Sequence, residues 1–354
     1  MVISYNCLEF IILLNRANVT FMKTIFEACI PRPEIISGKI GTNDFAARLK
    51  DVIDINPDAH QIYVDPKSFF ENTYPTEGLK ELAKSVFSRL SGKTGGSPAI
   101  RLETSFGGGK THDLITLYHL AKSGKNTPNS STVLDPEFLP TEKVNVAGIV
   151  AGEMDAIKGM IHPDGTNAFT LWGELAYQLK GKEGYEYFRE YDEKKTPPQD
   201  AMLIEFFGKN KTLIMIDEIA LYIRKLIDKD YASKIPAFFM SLISVASSCQ
   251  NVCFVFTIAG ANDAFGAENE LIRTELNSVS ARECITLTPA KGHEIAQIIT
   301  HRLFEKIPPG VNEEIGQAYQ EYYEHAEAQK VGFGHLADNV KQEIISNYPF
   351  HPET

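Results

Sequence analysis

Two stretches contain no polar alternation at all: Thr212–Ile216 (TLIMI) and Val252–Ile258 (VCFVFTI). A strand with one wet face alternates apolar and polar residues. A strand that is apolar at every position must be covered on both faces, as happens inside a parallel sheet clothed by helices. The surrounding sequence supplies such a sheet. Ala99–Leu102 and Val144–Val150 read as further strands, and Cys284–Leu287 as a weaker one. Between them lie helical patterns at Gly78–Leu90, Thr111–Lys122, Phe169–Leu179, Ala201–Phe207 and Phe238–Ala246. In the first of these, Leu79, Leu82, Val86, Phe87 and Leu90 form a stripe at helical spacing, with Thr76 placed to cap its start. Asp200 is placed to cap Ala201–Phe207. Strands alternating with helices predict a doubly wound α/β domain.

A chain of 354 residues suggests two compact units, or one large unit with appendages. Residues 1–21 read as a poorly ordered upstream extension, because they lack a clear period and Met22 offers an alternative start. Residues 22–94 read as an N-terminal helical segment packing on the core, and 95–290 as the α/β core. Within the core, the charged stretch 184–199 reads as an exposed connection. From Lys291 the pattern is helical only, including Glu294–Phe304 and Ile315–His325, so 291–354 reads as an incomplete helical cap. No internal repeat stands out.

Hydrophobic residues make up 43 % and charged residues 23 %, enough to bury a real core. The formal charge of −11 gives no overall field toward nucleic acid or anionic membrane. The five cysteines, Cys7, Cys29, Cys249, Cys253 and Cys284, form no C-x-x-C pair and read as free thiols of a reducing compartment. No run approaches the roughly 20 apolar residues that span a bilayer. No signal peptide is recognisable. The expected localisation is cytoplasmic.

The chemistry concentrates at Thr104-Ser105-Phe106-Gly107-Gly108-Gly109-Lys110-Thr111. This stretch sits between a predicted strand and a predicted helix, and its Gly109-Lys110-Thr111 matches the end of the phosphate-loop pattern G-x-x-x-x-G-K-[ST]. Glycines leave room for backbone N–H groups to converge on phosphate oxygens, and the helix start adds its positive end. Ser105, Phe106, Gly107, Gly108, Gly109, Lys110, Thr111 and His112 are therefore the candidate nucleotide-binding residues. Lys110 is expected at the β/γ-phosphates and the Thr111 hydroxyl on Mg²⁺. Thr104 stands where the pattern has its first glycine.

A second feature is Thr212–Glu218 (TLIMIDE), a buried strand that ends in two carboxylates, at the edge where α/β sheets bind ligands. Asp217 is expected to hold Mg²⁺, and Glu218 to act as general base on the attacking water. Thr257, a polar residue near the end of the other apolar strand, is a candidate for the γ-phosphate or the water. Arg273 and Arg282 precede the last strand, and Arg282 is the preferred candidate for an arginine finger. His112 and Glu153 are weaker candidates for the site.

The segments MKTIFEACIPRPEIISG, FFENTYPTEGL, RLETSFGGGKTHDLITLYHL and NYPFHPE resemble a prokaryotic family of AAA+-like ATPases, the domain-of-unknown-function family four hundred and ninety-nine. The resemblance runs from Met22 to the end and includes the loop 104–112, Thr104 among it. It implies an AAA+-like P-loop sheet in which one strand separates the acid-bearing strand from the phosphate-loop strand, so that Thr257 lies between Lys110 and Asp217. It also implies homo-oligomers in full-length relatives and a place in anti-phage defence beside DNA methyltransferases. Residues 1–21 would be an upstream extension, and the chain a truncated N-terminal portion.

The expectation is an ATPase with ATP and Mg²⁺ as its ligands. The alternatives are a scaffold that binds nucleotide without hydrolysing it, and a DNA-associated remodeller.

Overall fold

The computed structural model describes residues 24–38, 47–104, 109–259, 270–324 and 339–351. The expected extension 1–21 and the loop residues Ser105, Phe106, Gly107 and Gly108 lie outside the described residues. The chain divides into two compact units. One comprises residues 46–71 and 75–291, and the other 1–45, 72–74 and 292–354.

The larger unit is built on five parallel strands: β1 (Ala99–Thr104), β2 (Val144–Val150), β3 (Lys211–Asp217), β4 (Val252–Ala259) and β5 (Ile285–Leu287). Their order across the sheet is β2–β3–β4–β1–β5, all parallel. The acid-bearing strand β3 is thus separated by β4 from β1, which leads into the glycine-rich segment. This is the order that the family resemblance implies. The longer helices are α1 (Glu77–Leu90), α2 (Lys110–Ser123), α3 (Leu171–Glu193), α4 (Asp200–Phe207), α5 (Ile219–Lys225), α6 (Lys229–Ser248) and α7 (Glu270–Glu283).

The unbroken apolar strands divide their side chains between two helical layers. Leu213 and Met215 of β3, with Cys253 and Val255 of β4, face the layer that contains α1 and α2. Ile214 and Ile216, with Phe254 and Phe256, face the layer that contains α3, α5 and α6. The period of two in a strand imposes this division. Phe254 and Phe256 are fully buried, and each contributes roughly 2–3 kcal/mol by leaving water. The same parity continues past the apolar run: Asp217 and Thr257 follow Met215 and Val255 by two, so both turn toward α2.

Local sequence sets the element ends. Thr76 accepts from Leu79 N–H at 3.1 Å, as the capping pattern predicts, and its hydroxyl donates to the Pro289 carbonyl at 2.6 Å. Gly78 permits this close approach, since a Cβ there would lie 2.1 Å from the Thr288 carbonyl oxygen. Arg89 donates to the carbonyls of Ala246, Cys249 and Val252, closing the end of α6.

Three sequence expectations are corrected. The stretch 184–199 is not an exposed connection through its whole length. Helix continues to Glu193 after a break at Lys180 and Gly181. Tyr185, Phe188 and Asp192 form its buried stripe, which the surrounding charges obscure. Asp200 is the first residue of α4 rather than its cap, and it accepts from the Ser244 hydroxyl at 2.7 Å instead. The chain beyond Lys291 is not helical throughout, because Phe304–Lys306 pairs antiparallel with Ile30–Pro31.

In the smaller unit, Val311–Glu324 and Val340–Asn347 pack as two helices over a core of Ala28, Cys29, Val311, Ile315, Tyr323, Val340 and Ile344. Gly316 lets them approach, since a Cβ there would sit 2.9 Å from the Lys341 carbonyl oxygen. Cys29, Cys249, Cys253 and Cys284 are free thiols. Among the described residues, no helix is long and apolar enough to cross a membrane.

Candidate functional site

The site is assembled where β3 and β4 end and α2 begins. Gly109 caps α2 with φ at 87°, a left-handed conformation that glycine adopts without strain. Lys110 and Thr111 occupy the first turn. The Thr111 hydroxyl donates to Asp217 Oδ2 at 2.9 Å. Thr257 donates to Asp217 Oδ1 at 2.6 Å. The two predicted motifs, far apart in the chain, therefore meet through one carboxylate.

Glu218 follows in a left-handed conformation, φ 57° and ψ 33°, and caps α5. A non-glycine residue is rare there and must be held by its surroundings. Two contacts hold it: its N–H reaches Thr257 Oγ1 at 3.1 Å and Asp217 Oδ1 at 3.0 Å. The hydroxyl of Thr257 thus gives its only proton to Asp217 and its lone pair to Glu218, fixing both acids at once.

The Glu218 side chain lies across Gly152, where a Cβ would fall 2.2 Å from Glu218 Oε2. Lys225, the last residue of α5, donates to the Gly152 carbonyl at 2.6 Å. Burial raises the Glu218 carboxyl above its ordinary pKa, and Asp217 and Glu153 raise it further. Lys225 and Arg48 pull it back. Burial lowers the Lys110 ammonium, opposed by Asp217 and Glu103.

The other expected residues fall as follows. His112 packs its ring on Phe69, with centroids 4.6 Å apart, and meets the edge of Tyr63. Glu153 is exposed and acts on Glu218 through its charge. Arg273 is forked onto Glu270 in its own helix. Arg282 lies in α7 with its side chain outside the described residues. Sequence reasoning missed Gly152, Lys225 and Arg48. None belongs to a motif: Gly152 and Lys225 acquire their places through packing around Glu218, and Arg48 acts on it through its charge alone.

The donor set fits a small hard cation. Thr111 and Asp217 offer oxygen only, and among the described residues no cluster of three or more His, Cys, Asp or Glu forms a protein cage. Mg²⁺ typically takes one or two protein oxygens and completes its shell with water and substrate phosphate.

A five-stranded parallel α/β sheet that gathers a lysine, a threonine and paired acids at its carboxyl edge defines a class consistent with a P-loop NTPase-like fold. The family match is more particular: the DUF499 N-terminal domain matches residues 42–280, and the chain belongs to that family. Neither a curated protein nor a solved structure matches the chain.

Proposed function

We propose that this chain binds ATP with Mg²⁺ and hydrolyses it, as an AAA+-like P-loop ATPase. The observation that carries the reading is the 2.9 Å bond from Thr111, two residues past the glycine run, to Asp217 at the end of the buried strand. A phosphate-binding helix start and a metal-holding carboxylate must stand this close for one cation to join them.

Thr111 and Asp217 would hold Mg²⁺, which when bound supplies charge neutralisation at the β- and γ-phosphates. Lys110 would place its ammonium against the same oxygens, and the N–H groups of the first turn of α2 face that position. Glu218 would take the proton of the attacking water. Burial beside Asp217 and Glu153 raises its basicity, which suits that role. The water oxygen bonds to the γ-phosphorus as the bond to the bridging oxygen breaks, and ADP leaves with that electron pair.

Calorimetric nucleotide titration with a phosphate-release assay tests this. Lys110→Ala is expected to weaken ATP binding about 100-fold or more, given the loss of a charge-assisted contact and the phosphate anchor. Glu218→Gln is expected to keep binding and lose about 10²–10⁴ in turnover. ATP affinity unchanged by Lys110→Ala would refute the reading.

A further inference from the structure

We propose that Lys225 is a positioning residue for Glu218: it holds the turn at Gly152 against α5, and so fixes where the Glu218 carboxylate points. The inference rests on the ATPase reading and deepens it. Glu218, Leu221 and Lys225 are spaced i, i+3 and i+7, so they line one face of α5. That face packs on the turn Ala151–Glu153, which follows β2. A Cβ at Gly152 would lie 2.2 Å from Glu218 Oε2, 3.0 Å from Glu218 Cβ and 3.1 Å from Leu221 Cδ2. Lys225 completes the face by donating from Nζ to the Gly152 carbonyl at 2.6 Å. One glycine thus meets all three residues.

The two ends of Glu218 are held differently. Its N–H is fixed by Thr257 Oγ1 and Asp217 Oδ1. Its carboxylate makes no hydrogen bond or ion pair among the described residues. A side chain without such a bond takes its direction from the surface it lies on, and here that surface is the Gly152 backbone. Ala151 and Gly152 are buried, which holds the inner side of the turn. The Gly152 carbonyl is its tie to the far end of α5, through an exposed lysine whose stem spans back along the helix.

A general base must set one oxygen within hydrogen-bond reach of the proton that it takes. Without the Lys225 ammonium, the Gly152 carbonyl is free to turn to water, and the floor under the Glu218 carboxylate moves with it. The misplacement acts on the step in which the water proton passes to Glu218, and it leaves the residues that hold the phosphates where they are. It should therefore lower kcat and leave KM nearly unchanged. A lysine that only stapled two surface segments would change stability and leave turnover alone.

The test uses the full chain as wild type, Lys225→Met, Lys225→Arg, Glu218→Gln and the Lys225→Met/Glu218→Gln double variant, with phosphate release measured against ATP concentration. Lys225→Met is expected to lower kcat about tenfold with KM within about threefold. Lys225→Arg, which can still donate to the carbonyl, is expected to recover most of that loss. In the Glu218→Gln background, Lys225→Met is expected to cost about twofold at most, because the base that it positions is already gone. A kcat that Lys225→Met leaves within about twofold of wild type would overturn the inference and leave the ATPase reading standing. So would a loss that appears in KM instead, or a tenfold loss that persists in the Glu218→Gln background, since either shows Lys225 acting by another route. No phosphate release by the wild type would overturn both.

Discussion

Two buried aspartates in the larger unit are surrounded by similar residues and do opposite things. Asp192, on the second half of α3, accepts from Phe169 N–H at 3.0 Å, Thr170 N–H at 2.8 Å, the Thr170 hydroxyl at 2.5 Å and the Tyr185 hydroxyl at 3.1 Å. It is fully buried, and Gly173 leaves room for it, since a Cβ there would lie 2.2 Å from Asp192 Oδ1. Asp217 accepts from two threonine hydroxyls and one N–H, beside a second carboxylate and within reach of the Lys110 charge. The first acid is closed: its donors fold the two ends of α3 onto each other and leave no position for a ligand. The second is held in place by hydroxyls whose oxygens can themselves turn to a cation, and its neighbour Glu218 sits in a strained conformation with a raised carboxyl. The difference is in what surrounds the carboxylate: Asp192 is spent on joining Phe169, Thr170 and Tyr185, whereas Asp217 is shared between Thr257 and the Thr111 hydroxyl at the start of α2, beside Glu218.

The largest effect should come from breaking the closed acid. Asp192→Ala strands two N–H groups and two hydroxyls in the core, and is expected to cost about 3–5 kcal/mol in denaturant unfolding, with or without nucleotide. Asp217→Asn keeps the shape and most of the hydrogen bonds, so its cost without ligand should be about 1 kcal/mol or less. In the wild type, MgATP at about 100 times Kd should add about 2.7 kcal/mol. The magnesium-dependent part of that gain should vanish in Asp217→Asn. Equal losses for the two variants without ligand would erase the distinction. Gly152→Ala sharpens it further. The added methyl meets the movable end of Glu218 first, so stability should fall by under about 1 kcal/mol while turnover falls at least about tenfold.

The sheet was legible because burial on both faces leaves a plain mark: TLIMI and VCFVFTI show no alternation of polar and apolar residues, as a covered parallel strand does. The pairing of Thr111 with Asp217 was legible because each closes a motif, and strand parity then carries Thr257 to the same side. Asp192 was not legible, since its helix is rich in Glu and Lys and only the Tyr185–Phe188–Asp192 spacing marks the buried face. Gly152 and Lys225 were not legible either. Their places depend on how an αL turn at Glu218 brings distant segments together, and no local pattern encodes those distances.

The same contrast runs along α2. Its first turn is the open end, with Lys110 and Thr111. On its covered face it is closed: Asp113, still in the first turn, is buried with Oδ2 lacking a partner among the described residues, and His119, over two turns on, is buried against Phe69, Phe70 and Tyr118. His119 Nε2 lies 2.7 Å from the Tyr63 carbonyl oxygen, which only accepts, so that nitrogen carries the proton in the neutral ring. Burial lowers the His119 pKa, outweighing the opposing pull of the Tyr63 carbonyl and Asp65. A lowered folded-state value means the unfolded chain binds the proton first. The stability tied to the neutral ring is therefore complete above the unfolded value of about 6.5 and is lost as pH falls from there through the lowered folded value. Denaturant midpoints measured between pH 7.5 and pH 5 should fall in the wild type, and His119→Gln should remove part of that slope while lowering stability at neutral pH. This is the smallest of the expected effects, and it separates the two ends of one helix: the slope should be the same with and without the Lys110→Ala change. A slope that Lys110→Ala abolishes would place the responsible proton at the open end instead.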